Sequence, residues 1–394
     1  MKFLGRNADF RLHMERAGLA YSGTDPVITG TPADDHLTGI STTSAQVLRG
    51  LAGDDYLALP ENFGGDAYGS SGDDELHGAD FSNFSGPITN RLFGEAGNDL
   101  LFGGNANAYA VVRNEMDGGS GNDTLQGGGR TTAYANVTNV MHGGAGEDRI
   151  LGADGATNQA FGDAGSDVIT GGNTYGGTGS PFDAVNDLHG GAGDDTITGG
   201  GGNGRSTATN TINGDAGNDT LTGGSADPFN SVSNTILGGA GNDLIKGGSA
   251  SGPAGVTNDL DGGAGNDRLV GGDSDDVATV RNTLHGGAGN DVLVAGSNGG
   301  ELFSPSAGNF DDLWGGAGND TFVFRPFNHH DTIHDFAHGK DLIDLTAFTQ
   351  YDELSDLNIT SNAGNSIIDF GNGNEVTLLG VSSLNANDFV FFHL

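Results

Sequence analysis

Cysteine is absent from the chain, so disulfides cannot staple it together. Basic residues are scarce: 15 Lys and Arg stand against 52 Asp and Glu, a formal net charge of −37. So acidic a chain repels phosphate, which argues against nucleic acid and anionic membrane surfaces as partners. No apolar run approaches the length of a membrane span. Hydrophobic residues make up only 35% and aromatic residues 7%. Such a chain buries too little apolar surface to offset the entropy of ordering its backbone unaided. Something else must supply stability, and a divalent cation would both neutralise the charge and crosslink loops. Catalytic signatures are missing too. There is no His-Glu-x-x-His zinc motif and no Gly-x-Ser-x-Gly nucleophile turn, so protease and lipase chemistry are not expected. The first residues, Met1–Tyr21, contain charges but neither an apolar core nor a small-residue cleavage site, so a Sec-type signal is not expected there.

What the chain has in abundance is glycine, 74 residues of it, and repetition. The phrase Gly-Gly-x-Gly-Asn-Asp-x-Leu-x-Gly-Gly is clear at Gly118–Gly128, Gly190–Gly200, Gly238–Gly248, Gly262–Gly272 and Gly286–Gly296. Weaker copies surround Asp35, Asp55, Asp74, Asp99, Asp148, Asp167 and Asp219, and the last runs through Asp320. Asp195, Asp219, Asp243, Asp267 and Asp291 are 24 residues apart, and the others are spaced by 19 to 29. Each position has a mechanical reason. Glycine permits positive φ and close approach of successive turns. Aspartate supplies a hard oxygen suited to calcium. Two residues later an apolar side chain points inward, as at Leu125, Ile150, Ile169, Ile197, Leu221, Ile245, Leu269, Leu293 and Phe322. A six-residue turn followed by a three-residue strand cannot bury its apolar face alone and must stack on its neighbours.

These phrases resemble the glycine-rich nonapeptide of RTX proteins. The resemblance runs over about residues 30–394 and implies an all-β fold, a right-handed parallel β-roll with calcium between successive turns. It makes Asp55, Asp74, Asp99, Asp123, Asp148, Asp167, Asp195, Asp219, Asp243, Asp267, Asp291 and Asp320 the expected Ca2+ ligands. The chain departs from the family pattern in one respect. RTX half-turns usually both carry aspartate, whereas here the alternate half carries asparagine. Nine residues before each aspartate stand Asn90, Asn114, Asn139, Asn158, Asn186, Asn210, Asn234, Asn258 and Asn282. Apolar or small residues flank each two positions before and after, for example Val232 and Ile236 around Asn234. Period-two alternation then points the asparagines inward, and buried amides need partners. A stacked amide ladder is the expectation; weak calcium binding by the asparagines is the rival.

The roll is thus expected to have one calcium edge and one asparagine-ladder edge lengthened by inserted loops. Those loops carry Tyr109, Tyr134, Tyr175, Phe182, Phe229 and Phe303, either as a binding surface or as cover for the core. After Asp320 the composition shifts. Asp331-Thr332-Ile333-His334-Asp335-Phe336 and Gly339-Lys340-Asp341-Leu342-Ile343-Asp344-Leu345 resemble the C-terminal region of serralysin-type proteases and other type I exported proteins. That implies a β cap over residues 321–394, with Asp388–Leu394 as an uncleaved signal for type I secretion machinery. His330, His334 and His338 are spaced for metal binding on a helix, but the resemblance puts them on strand and turn. Residues 1–26 form an expected cap or tail, with Asn7–Gly18 a short helix, and residues 27–320 the roll.

The functional expectation is a secreted, non-enzymatic calcium-binding protein at the cell surface or outside the cell. It would serve as a surface-layer, matrix or adhesive scaffold, self-associating or binding extracellular polysaccharide. The alternative is a glycan-binding module or a lyase- or epimerase-like enzyme built on the roll's surface.

Overall fold

The computed structural model describes residues 27–40, 43–82, 86–132, 134–177, 180–202, 204–275, 277–298 and 308–392. The expected cap at 1–26 and Phe303 lie outside them. The chain divides into two compact units, Met1–Ala160 and Phe161–Leu394, each a parallel β-solenoid. Among the described residues there is no α-helix, only the single turns Leu354–Asp356 and Ala386–Asp388.

In the first unit, long strands alternate with three-residue strands, and each kind stacks on its own kind. The long series runs Val27–Thr29, Gln46–Ala52, Gly65–Ser71, Ile88–Ala96, Val111–Ser120 and Asn136–Ala145, every pair parallel. The short series runs His36–Thr38, Tyr56–Ala58, Glu75–His77, Leu100–Phe102, Thr124–Gln126 and Arg149–Leu151. The short strand is the tail of the repeat phrase, and its central residue is the apolar one two after the aspartate. Leu57, Leu76, Leu101, Leu125 and Ile150 are accordingly fully buried. Facing them from the long strands are Leu48, Ala67, Leu92, Met116 and Met141, equally buried. The core is therefore a narrow column one or two side chains wide.

The second unit repeats the plan. Its long strands from Ala184–Ala192 to Gly308–Ala317 stay in register, asparagine against asparagine as far as Asn282, which meets Asp311. Short strands from Val168–Thr170 to Leu342–Asp344 form the other sheet. The last long strand, His330–Ile333, pairs with Asn374–Leu378, which continues antiparallel into Asn365–Gly371 and Asn358–Asn362. This is the β cap. Ile368, Val376 and Leu378 are buried beneath it, and Phe348 stacks on Phe370 at 4.5 Å. An open solenoid end exposes a row of unpaired strand groups, and such a cap covers it. Phe389–Val390 pairs with Leu342–Asp344, so this part of the expected export signal is a strand of the cap.

The inserted loops behave differently from one another. Tyr109, Tyr134 and Phe229 are exposed, whereas Phe182 is buried. Phe182 therefore covers the core, as one of the two readings expects, and the three exposed rings do not.

Candidate metal centre

The aspartates of the repeat sit at the tight turn between a long strand and the following short one. All twelve are 1–2% exposed. Within each unit they form a column joined by one bond per turn: the main-chain N–H of each aspartate donates to Oδ1 of the next. Asp55 N reaches Asp74 Oδ1 at 2.8 Å, and Asp74 N reaches Asp99 Oδ1 at 2.8 Å. Asp99 N and Asp123 N continue to Asp123 and Asp148, both at 2.7 Å. In the second unit the chain runs Asp167, Asp195, Asp219, Asp243, Asp267, Asp291, Asp320 at 2.7–2.9 Å.

That bond uses one carboxylate oxygen and leaves the other. Oδ2 of Asp55, Asp74, Asp99, Asp123, Asp195, Asp219, Asp243, Asp267, Asp291 and Asp320 is buried without any hydrogen-bond partner. A buried anionic oxygen with no partner is costly, and here the cost recurs in each of those ten turns. What lies around it is shaped by glycine. A Cβ on Gly238 would overlap Asp243 Oδ2 and come within 2.5 Å of Gly262 O in the next turn. The same cradle recurs at Gly118, between Asp123 Oδ2 and Gly143 O. Carboxylate and carbonyl oxygens thus flank a space that any side chain would fill. Among the described residues no three His, Asp or Glu side chains converge. Each site therefore offers few carboxylates and relies on main-chain oxygen, a donor set for a hard cation such as calcium.

Electrostatics agree. Burial pushes the carboxyls of Asp55, Asp74, Asp99, Asp123, Asp195, Asp267 and Asp320 up to about 6, and Asp219 to about 7. The N–H bond from the preceding aspartate opposes this, and carboxylates in adjacent turns add to it. Carboxyls held out of water one above another favour a bound cation, and calcium fits these residues.

Residues 86–107, 113–129, 138–158, 182–204, 206–227 and 230–251 match the RTX calcium-binding nonapeptide repeat. Residues 255–392 match the Peptidase M10 serralysin C-terminal domain. The chain is an RTX calcium-binding repeat protein with a serralysin-type C-terminal region. RTX repeats bind calcium ions, and both matched regions are typical of proteins exported by type I secretion. Neither is a catalytic part. No curated protein matches the chain, and no helix among the described residues is long and apolar enough to cross a membrane.

The other edge of this RTX roll is the asparagine ladder. Nδ2 of Asn90 donates to Asn114 Oδ1, Asn114 to Asn139 and Asn139 to Asn158, at 2.8–2.9 Å. In the second unit Asn186, Asn210, Asn234, Asn258 and Asn282 are linked at 2.7–2.8 Å. Each amide also clamps a loop residue of its own turn, a glycine except at Asn90 and Asn158, which hold Ala79 and Ala153. Gly224 N donates to Asn234 Oδ1 and Asn234 Nδ2 donates to Gly224 O, both at 2.9 Å. For a rung that lies between two others, such as Asn234, both donors and both acceptor positions are used within the protein.

Several column residues escaped the sequence reading. Asp341 Oδ1 accepts from Asp320 N at 3.1 Å, continuing the aspartate column into the cap. Its signal was present, because buried Ile343 follows two residues later. The residue before each aspartate forms an outer column. Asn242 N donates to Asn218 Oδ1 and Asn266 N to Asn242 Oδ1, at 2.9 and 2.7 Å. The Asn-Asp dipeptide is thus two ladders side by side. The three spaced histidines do not converge; His330, His334 and His338 pair with Glu375, Asp312 and Asp388 respectively.

Proposed function

We propose that this RTX protein is a non-enzymatic extracellular scaffold of surface-layer, matrix or adhesive type, folded by calcium after export. In this reading Asp55, Asp74, Asp99, Asp123, Asp148, Asp167, Asp195, Asp219, Asp243, Asp267, Asp291 and Asp320 hold calcium between successive turns of residues 27–320, and residues 321–394 cap the roll and carry it to the exporter. One observation supports it above the rest: a buried carboxylate oxygen without a partner, repeated turn after turn. Extracellular calcium modules bind at about 10⁻⁴–10⁻³ M, so the chain stays expanded and threadable inside the cell and orders outside it. Size-exclusion chromatography and circular dichroism with and without calcium test this. Calcium should convert an expanded chain into a β-rich one that assembles further. A compact β-rich chain in chelator would sink the scheme.

A second reading, a glycan-binding module, is favoured by the exposed pair Tyr109 and Tyr134, whose rings stack 4.8 Å apart. Aromatic faces suit sugar rings. It requires a calcium-loaded monomer that binds soluble polysaccharide and loses binding in the Tyr134→Ala variant.

A further inference from the structure

The ladder changes chemistry at its last rung. Nine residues before Asp320 stands Asp311, not asparagine, and two residues before it stands Asn309, where earlier turns have Val232, Val256 and Val280. The register is unbroken, since Asn282 pairs with Asp311 and Val280 with Asn309. Asp311 takes over the rung's contacts: Oδ1 accepts from Asn282 Nδ2 and Oδ2 from Gly296 N, both at 2.6 Å. A second carboxylate follows at once. Asp311 N donates to Asp331 Oδ1 at 3.2 Å, and Asp331 Oδ2 accepts from Asn328 Nδ2 at 2.8 Å.

Two amides at this point are unsatisfied. Asn309 and Asn328 are both 0% exposed, yet Asn309 Oδ1 and Nδ2 and Asn328 Oδ1 have no partner. Both belong to the carboxylate pair's surroundings. Asn328 holds Asp331 directly, and a Cβ on Gly296 would meet Asn309 Nδ2 at 2.6 Å, while Gly296 N is the donor to Asp311. Burial pushes the Asp311 carboxyl up to about 7 and Asp331 well above the usual range, and the two repel each other. The nearby cation, Arg325, is engaged by Asp273 at 2.8 Å and Ala295 O at 3.0 Å. Neither aspartate follows the Gly-Gly-x-Gly turn of the repeat, so this constellation is not another copy of the repeated site.

We propose that Asp311 and Asp331, with the amide oxygens of Asn309 and Asn328, hold one buried calcium ion at the end of the asparagine ladder, on the edge opposite the aspartate column. Two carboxylates and two amide oxygens form an oxygen-only set of the kind calcium prefers. The ion would tie the last ladder rung to the strand His330–Ile333 that begins the cap.

The test uses the full chain in calcium. Trp314 is the only tryptophan and lies three residues after Asp311 on the same strand, so its sensitised terbium emission reports this end of the roll. Asp311→Asn installs the residue that the rungs from Asn186 to Asn282 carry and so keeps the ladder. It should lower the count of tightly bound calcium by one ion per chain, reduce tryptophan-sensitised terbium emission and leave the β signal intact. Asn309→Val, which restores the side chain of the neighbouring turns, should weaken the terbium site at least tenfold. An unchanged calcium count in folded Asp311→Asn overturns the proposal, and the pair then holds a shared proton and water. Should Asp311→Asn fail to fold, unchanged terbium affinity in Asn309→Val overturns it equally.

Discussion

Replacing Asn234 by alanine isolates what the ladder contributes, because the side chain makes four hydrogen bonds and touches no carboxylate of the metal column. It accepts from Asn210 Nδ2 at 2.8 Å and Gly224 N at 2.9 Å, and donates to Gly224 O at 2.9 Å and Asn258 Oδ1 at 2.8 Å. Its neighbours in the ladder are partly protected. Asn210 Nδ2 still has Gly200 O, and Asn258 Oδ1 still has Gly248 N. Gly224 is not: its N–H and C=O both lose the amide that paired them, inside a buried loop end. Two buried groups left unsatisfied at about 1–3 kcal/mol each give a loss of about 2–6 kcal/mol.

Urea unfolding in a fixed excess of calcium should show that loss, since constant calcium removes the linkage contribution from the comparison. Solenoids can open locally, so a two-state fit alone is unsafe. Hydrogen exchange at Gly224 and Gly248 supplies the local measure and should accelerate most there. Calcium stoichiometry should not change. A loss under about 0.5 kcal/mol, or a variant whose main defect is a missing ion, would refute the assignment of asparagine to register and aspartate to metal.

The Asp243→Asn variant keeps the Oδ1 acceptor for Asp219 N and removes the charge, so calorimetry should show weaker calcium binding while the stacking bond survives. Gly238→Ala drives a Cβ into the space between Asp243 Oδ2 and Gly262 O, and should lose calcium at that turn and loosen it by circular dichroism; wild-type affinity would mean that the cradle is not the site. The response to pH should reverse sign with the metal. Without calcium, the column's carboxyls titrate at about 6–7 when folded against about 3.9 unfolded. Their contribution is then greatest below pH 4 and is lost as pH rises through 6–7, so acidification to pH 5 in chelator should increase the β signal. With calcium present, the same protons compete for the ligand oxygen, so calcium affinity should fall over that range. A β signal in chelator that is flat between pH 5 and 7.5 would contradict the raised carboxyls.

The repeat was legible because its constraints are local. An aspartate with an apolar residue two later identifies one short strand, and Asn234 between Val232 and Ile236 identifies one inward amide. Neither inference needs knowledge of a distant segment. What escaped depends on stacking between turns. That Asn242 accepts a main-chain N–H from Asn266 is invisible in either residue alone, because the bond exists only when two phrases lie one above the other. Substituted rungs were hidden in the same way. Gln46 and Gly65 stand at the ladder position in register with Asn90, yet nothing in their own neighbourhoods marks them. Asp311 is flanked by Asn309 and Leu313, so the apolar alternation that marks the other rungs is broken on one side. The loops carry no repeat, so nothing in the sequence distinguished buried Phe182 from exposed Phe229.

The division of labour between the two edges also explains why asparagine replaces aspartate on one of them. A column of carboxylates accepts hydrogen bonds but cannot donate them, so it cannot close on itself and stays under mutual repulsion until a cation arrives. An amide is donor and acceptor at once, and each rung satisfies the next at no cost in charge. Asn186 through Asn282 can therefore set the register of successive turns before any metal is bound. With one edge neutral, the second unit concentrates its buried charge in the aspartate column, the edge where we place calcium. The exception is the last rung, where Asp311 meets Asp331. There the carboxylate problem returns on the ladder edge, beside the only two fully buried asparagines among the described residues whose amide oxygen has no partner. If each edge follows its own chemistry, calcium dependence in this chain should not be uniform. It should be strongest along the aspartate column, absent between amide rungs, and present again where the roll passes into its cap.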